Sequence, residues 1–351
     1  MKTITVNASK TYDVTIGSGL LSAVGETVRN VTTAAKAAII SDSNVFPLYG
    51  TTVRDSLLKC GFEEVVDFVF PAGEESKNGN TYLSILEFLA ANHITRSDCL
   101  VALGGGVVGD ITGFAAATYL RGIDYVQVPT TVLAAVDSSV GGKTAIDLNT
   151  GKNLVGAFYQ PKAVICDLST FNSLPAQIFR DGCAEIIKYG VLFDAALFAH
   201  LRGSGIDFDK EAVIARCVEL KRDVVAQDEF DRGERQKLNL GHTIGHGIEA
   251  SSDFTVSHGS AVAIGIAIIT RAAAANGICT QEAKGDIINT IEKFGLPVTT
   301  QKNAKTLYTY ALSDKKRTGS TVNLIIPRAI GDCGIYPTHT DDIEAFIQAG
   351  L

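Results

Sequence analysis

Three of the six histidines in this 351-residue chain fall between positions 242 and 258. In LNLGHTIGHGIE, His242 and His246 lie four apart, so on a helix they share one face, and His258 follows in SHGSAVAIG. Neutral imidazoles held this way bind zinc, and the glycines around them permit close approach. The residues between the first two are Thr-Ile-Gly, so no glutamate serves as the base of an HExxH protease. Spacing alone points to His242 and His246 as co-ligands, with His258 at the start of the next helix as the third. A carboxylate from elsewhere would complete the set. Glu185 in DGCAEIIKYG is the candidate, with Lys188 on its helix face and Ile186, Ile187 and Tyr189 as apolar company.

A second group of residues suits anions. GGGVVGD (104–110) satisfies GxGxxG directly after a strand and opens a helix, where glycine backbone approaches a pyrophosphate and the helix N-terminus supplies donors. The motif follows a later strand–helix unit than the first, and Asp124 begins a strand instead of ending one. Asp42, at the carboxyl end of AAIIS, is the better ribose partner. DSSVGGKT (137–144) comes close to a Walker A loop, but Asp137 replaces its first glycine and would repel a triphosphate. The turn still presents Lys143, with Lys152 and Asn153 nearby in TGKNLVG, and lysines in glycine-rich loops suit an anionic small molecule.

The scaffold that must position these side chains changes character midway. AKAAIIS (35–41), EVVDFVF (64–70), DCLVALGGG (98–106), DYVQV (124–128) and KAVIC (162–166) read as strands separated by helical stretches, which implies a mostly parallel sheet. From residue 174 the spacing is helical over 175–202, 208–228, 239–252, 258–276 and 281–294, with one strand-like run at 321–327. The expectation is a Rossmann-like α/β nucleotide-binding domain over 1–173 and a mostly α-helical metal- and substrate-binding domain over 174–351.

Composition narrows the function classes. With 46% hydrophobic and 20% charged residues, the chain can bury a sizeable core, and a net charge of −7 argues against nucleic acid or an anionic membrane as partner. Seven scattered cysteines with no CxxC argue against a disulfide framework or a Cys-type zinc site and fit a reducing cytoplasm. The N-terminus carries no apolar signal core, and no run approaches the ~18 apolar residues of a membrane span.

Taken together and in order, GGGVVGDITGFAAATYLRGI, VPTTVLAAVDSSVGGKTAID, GKNLVGAFYQP, AEIIKYG and LNLGHTIGHGIE resemble the 3-dehydroquinate synthase family of sugar-phosphate cyclases. The resemblance runs from about residue 35 to DKKRTG at 314–319. It implies a carbon–oxygen lyase of the shikimate pathway that takes 3-deoxy-D-arabino-heptulosonate 7-phosphate to 3-dehydroquinate and phosphate. The implied cycle is transient oxidation by NAD+, phosphate elimination, re-reduction, and intramolecular aldol closure. One divalent metal is implied, zinc or alternatively cobalt, held by Glu185, His242 and His258, while His246 serves the substrate and its proton transfers.

Further roles follow from the same resemblance. Lys143, Asn153, Asn239 and Lys315 (preferred over Lys316) hold the phosphate; Lys188, Lys221 and Arg235 face the carboxylate; Asp137 bonds sugar hydroxyls. Arg121 reaches the neighbouring site of a homodimer. The NAD+ contacts are Asp42, Glu74, Lys77, Gly105, Gly106, Val107, Val108, Gly109, Asp110, Thr130, Thr131, Lys143 and Lys152, with Thr170 and Ser173 as further contacts. The chain departs from the family pattern at Asp231 and Glu234 in DRGER, at Asp181, where an uncharged residue near the nicotinamide is expected, and at FNS (171–173). Relatives of the same two-domain plan are glycerol-dehydrogenase-like enzymes, which release NADH and need no such basic set, and cyclases of other sugar phosphates.

Overall fold

The apolar runs of the first half become strands buried on both faces. In the computed structural model, which describes residues 1–253, 255–312 and 320–351, the chain divides into two units. One is Met1–Leu174 with Lys210–Phe230, the other Pro175–Asp209 with Asp231–Leu351.

The first unit opens with β1 (Lys2–Asn7), β2 (Thr11–Gly17), α1 (Val24–Val31), β3 (Lys36–Asp42), α2 (Phe46–Lys59) and β4 (Glu64–Phe70). It continues with α3 (Gly79–Ala91), β5 (Cys99–Gly104), α4 (Gly106–Thr118), β6 (Asp124–Pro129), β7 (Lys143–Leu148), β8 (Gly151–Phe158) and β9 (Ala163–Asp167). Seven strands form one sheet in the order β1-β2-β9-β6-β5-β3-β4. It is parallel except for the β1–β2 hairpin. Side chains alternate across it with the period of a strand. Ala37, Ile39, Val101 and Leu103 pack with Val24 and Val28 of α1 and Val53 and Leu57 of α2. Ala38, Ile40, Leu100 and Ala102 pack on the other face with Ile85 and Leu89 of α3 and Val108 and Ile111 of α4. Burial on both faces is why these strands read as continuous apolar runs. From β3 the chain steps outward to β4, then returns to β5 on the other side of β3. That reversal is the topological switch point at which doubly wound sheets bind ligands.

The chain then forms α5 (Ala176–Phe193) and α6 (Ala195–Ser204) in the second unit and α7 (Lys210–Gln227) back in the first. Here the structure corrects the expected 174–351 domain. α7 packs against β1, β2 and the 134–138 turn, Lys221 on α7 is ion-paired with Asp137, and the Met1 ammonium meets Glu211 at 2.9 Å. A second correction concerns Lys143 and Lys152, read as lying in glycine-rich loops, which belong to the antiparallel hairpin β7–β8.

The second unit continues with α8 (His242–Ser251), α9 (His258–Ala275), α10 (Gln281–Lys293), α11 (Ala304–Leu312), β10 (Thr321–Ala329), β11 (Asp332–His339) and α12 (Thr340–Gly350). The expected strand pairs antiparallel with β11, which was not anticipated. α9 is long and apolar enough to cross a membrane, but 83% of it is buried inside the protein. It is the axis of the unit, contacted by α5, α8, α10 and α12. At Gly265 a Cβ would lie 2.1 Å from the Gly241 carbonyl oxygen, so α8 and α9 approach backbone to backbone. Gly265→Ala should therefore destabilise the protein by about 1–3 kcal/mol. Gly285→Ala in α10, where an added Cβ meets nothing within 4 Å, should stabilise it by about 0.4–1 kcal/mol. Thermal unfolding of the two variants checks the contrast.

Candidate functional site

In the second unit, α8 and α9 begin at His242 and His258, and both first residues point toward Glu185, whose side chain is 1% exposed on α5. Nε2 of His242 lies 3.5 Å, and Nε2 of His258 3.7 Å, from Glu185 Oε1. One ligand atom from each of the three residues falls within 4.8 Å of the others. Ligand atoms ~2.1 Å from a tetrahedral zinc stand about 3.4 Å apart, so these spacings suit a shared cation.

The outer contacts agree. Nδ1 of His242 is 3.2 Å from the Leu240 carbonyl and Nδ1 of His258 is 3.2 Å from Glu249 Oε2. Each ring is thereby held with Nε2 inward, the arrangement that orients histidine ligands. Among the described residues, the buried Glu185 carboxylate is ion-paired with the Lys188 ammonium and accepts no further hydrogen bond. Beyond that ion pair, its oxygens keep lone pairs able to ligate a cation beside the two imidazoles. The donor set of two imidazoles and a carboxylate therefore fits a divalent metal such as zinc.

Spacing along the helix paired His242 with His246, but the structure groups them differently. His242 joins Glu185 and His258, whereas the exposed His246 groups with Glu249 and His258. The reason is the close passage of α9 over the first turn of α8, where a Cβ on Gly245 would lie 3.1 Å from the Ala261 carbonyl. Glu249 was missed by sequence reasoning. Its signal was a charged residue in an apolar helix, three positions after His246.

Burial works to lower the His258 pKa, but contacts with Glu185 and Glu249 outweigh it and push it up to about 10. A metal must displace that proton. Below pH 10, affinity should rise about tenfold per pH unit, with roughly one proton released per metal bound at pH 7.5. Calorimetry in buffers of differing ionisation enthalpy measures this, and pH-independent binding would contradict it. Glu249→Ala should weaken zinc about 10–100-fold in chelator competition.

The same unit holds Lys188 and Arg235, each 1% exposed. Asn239 shares the turn of Arg235 and donates from Nδ2 to the Gln236 carbonyl at 2.9 Å. Glu234, a departure from the family pattern, is exposed and pairs with Lys237 at 2.6 Å, so its charge is accommodated outside. Asp231 adopts φ 59°, a conformation that aspartate tolerates better than most residues. Lys315 and Lys316 lie outside the described residues.

In the first unit, the carboxyl ends of β3, β5 and β6 bring Asp42, the Gly105–Asp110 run and Thr130–Thr131 to one edge of the sheet. Asp42 Oδ1 accepts from the N–H groups of Asn44 and Val45 at 2.8 and 2.9 Å. No side chain caps α4 at Gly105, and Val107 and Val108 lie in its first turn. The buried Thr130 hydroxyl has no partner among the described residues. An uncapped helix start and an orphaned hydroxyl at a switch point fit a dinucleotide. Thr131 Oγ1 accepts from Ala134 N–H at 3.2 Å.

Lys77, 4% exposed, donates to Asp110 Oδ2 and Asn153 Oδ1, each at 2.6 Å. Burial pushes the Asp110 carboxyl up, and Lys77 offsets this only in part. Lys152 is 3.7 Å from Glu74. Residues read separately as cofactor or phosphate contacts therefore form one cluster pinning the β7–β8 hairpin, with Lys143 exposed at its start. Thr170 and Ser173 are occupied in their own turn, donating to the Asp167 and Thr170 carbonyls at 2.7 and 2.9 Å. Arg121 is exposed in a turn where Leu120, Arg121 and Gly122 all have positive φ.

A doubly wound sheet with an uncapped glycine turn, together with a helical unit holding a Glu–His–His set, is the fold of the sugar-phosphate cyclases, which dehydrogenases share at lower similarity. Solved members match the whole fold. 2-Deoxy-scyllo-inosose synthase, complexed with carbaglucose-6-phosphate, NAD+ and Co2+, superposes with TM-score 0.89 at 25% identity over 100% of both chains. The 2-epi-5-epi-valiolone synthase of Streptomyces hygroscopicus subsp. jinggangensis 5008, with NAD+ and Zn2+ bound, gives 0.87 at 25% identity over 98% of both. Within that class, the 3-dehydroquinate synthase N-terminal family matches residues 67–181 and the C-terminal family residues 182–317. A 3-dehydroquinate synthase of Streptococcus suis is 44% identical, covering 98% of this chain and 99% of its own. The chain belongs to the 3-dehydroquinate synthase family.

Proposed function

We propose that this chain converts 3-deoxy-D-arabino-heptulosonate 7-phosphate to 3-dehydroquinate and phosphate. The sequence of events is oxidation of the C5 hydroxyl, loss of phosphate, reversal of the oxidation, and ring opening followed by aldol closure. Bound NAD+ supplies the redox chemistry, and bound zinc, or cobalt in its place, supplies Lewis acidity toward the substrate hydroxyls. Asp42, Glu74, Lys77, the Gly105–Asp110 run, Thr130, Thr131 and Lys152 are the cofactor residues in this reading, and Glu185, His242 and His258 the metal ligands.

The rest of the work falls to the chain's own side chains. Lys188, Lys221 and Arg235 neutralise the carboxylate. Lys143, Asn153, Asn239 and Lys315 hold the phosphate, whose departure they assist by stabilising its charge. Asp137 accepts from sugar hydroxyls. His246, exposed beside the ligand histidines, moves protons to and from the substrate. The observation that carries the substrate assignment is the pair of cations Lys188 and Arg235, each 1% exposed in the metal-type unit. Lys188 already pairs with Glu185, and two cations gathered beside the proposed metal ligands suit a substrate that carries a carboxylate.

The reading includes a homodimer in the cytoplasm. An exposed arginine held in a turn with three successive positive φ angles suits delivery to a neighbouring protomer, since such strain persists where function requires it. None of the seven cysteines forms a disulfide among the described residues, which fits a reducing compartment.

With NAD+ and zinc, the protein should release phosphate from the heptulosonate phosphate without accumulating NADH, and a chelator should stop it. Steady growth of NADH absorbance would refute the cycle. For the dimer, Arg121→Ala and Lys143→Ala should each abolish turnover. Mixing the two after dissociation should restore about a quarter of wild-type activity, because half the dimers then carry one intact site of two. No recovery would place Arg121 in its own protomer's site or outside catalysis.

A further inference from the structure

Asp181 lies four residues before Glu185 on α5, so the two carboxylates share a helix face, and its side chain is buried. Its Oδ1 receives the Ser257 hydroxyl at 2.7 Å, the Ser260 hydroxyl at 3.0 Å, the Ser260 N–H at 3.1 Å and Gln177 Nε2 at 3.3 Å. Ser257 is the residue preceding α9, yet its side chain caps nothing on its own helix. The N–H at the third helical position, which an N-cap side chain ordinarily satisfies, goes to Asp181. The cap of α9 is therefore supplied by α5.

Gly259 completes the joint. A Cβ there would lie 2.2 Å from the Asp181 carbonyl oxygen, so the two backbones touch immediately after His258. Ser257, Gly259 and Ser260 are thus all fixed to one residue of the helix that carries Glu185. Any slack in this joint moves His258 Nε2 relative to Glu185 Oε1. An ionised carboxylate can accept from several donors at once, which an uncharged serine or alanine could not match. That accounts for the acidic residue at a position where the family resemblance suggests an uncharged one.

We infer that Asp181 is a positioning residue that sets the spacing between His258 and Glu185 in the metal centre. The inference rests on the metal assignment made above. The test compares zinc affinity by chelator competition and the visible spectrum of the Co2+-loaded protein in wild type, Asp181→Ala, Asp181→Asn and His242→Ala. Asp181→Ala should bind zinc about 10–100-fold more weakly and shift the Co2+ bands. Asp181→Asn retains an acceptor oxygen and should recover most of both. Should Asp181→Ala fail to fold, Ser257→Ala with Ser260→Ala removes two of the four donors and should move the same readouts in the same direction. A folded Asp181→Ala or double-serine variant with wild-type affinity and spectrum overturns the inference while leaving the metal assignment intact. Unchanged zinc binding by His242→Ala would overturn both.

Discussion

A carboxylate with almost no exposure has to be compensated from all sides, and the second unit is arranged around that requirement at Glu185. Two helices, α8 and α9, start there, so the positive ends of both dipoles face the negative charge. Lys188 lies one turn further along α5 and is ion-paired with it. The imidazoles of His242 and His258 complete the shell, each held from behind by an acceptor. The glycines that let α8, α9 and α5 touch are consequences of the same demand, because two helix starts cannot converge on one carboxylate unless their backbones come close.

The first unit solves a different problem. Its sheet needs no charge at its centre, and its polar residues gather at the strand ends. There the buried ammonium of Lys77 joins Asp110, next to the glycine turn, with Asn153 on a hairpin that lies outside the main sheet. A single lysine thereby ties a residue of the proposed cofactor set to one of the proposed phosphate set. The low dielectric around it makes both bonds strong and a missing partner expensive.

Much of this was legible in the sequence where chemistry and rarity coincide. Three histidines among six in one stretch, and a glutamate amid isoleucines, marked the centre without any fold. The strands β3, β5, β6 and β9 were legible because burial on both faces leaves continuous apolar runs. What the sequence concealed was adjacency. Helical spacing told which residues share a face, not that α9 crosses that face, so it paired His242 with His246, whereas the structure groups His242 with His258 and Glu185. The periodicity of 210–227 announced a helix but not the unit it joins, which depends on β1 and β2 some two hundred residues earlier. In 143–158, glycines masked the alternation of a hairpin. The role of Asp181 was hidden because its hydroxyl partner Ser257 is 76 residues away.

The return of α7 to the first unit has a consequence for how the chain is made. The sheet is complete once residue 167 has emerged from the ribosome, but the helix that packs on its β1–β2 edge is not finished until residue 227. By then the residues of α5 and α6, which belong to the other unit, have already been synthesised. The first unit therefore cannot be completed until part of the second has been synthesised, unlike a simple tandem domain. Neither is a contiguous cassette: a fragment ending at 174 would lose the α7 packing and the Lys221 partner of Asp137. Recombination between relatives would preserve the first unit only if the exchanged segment ran through to residue 230, carrying two foreign helices with it.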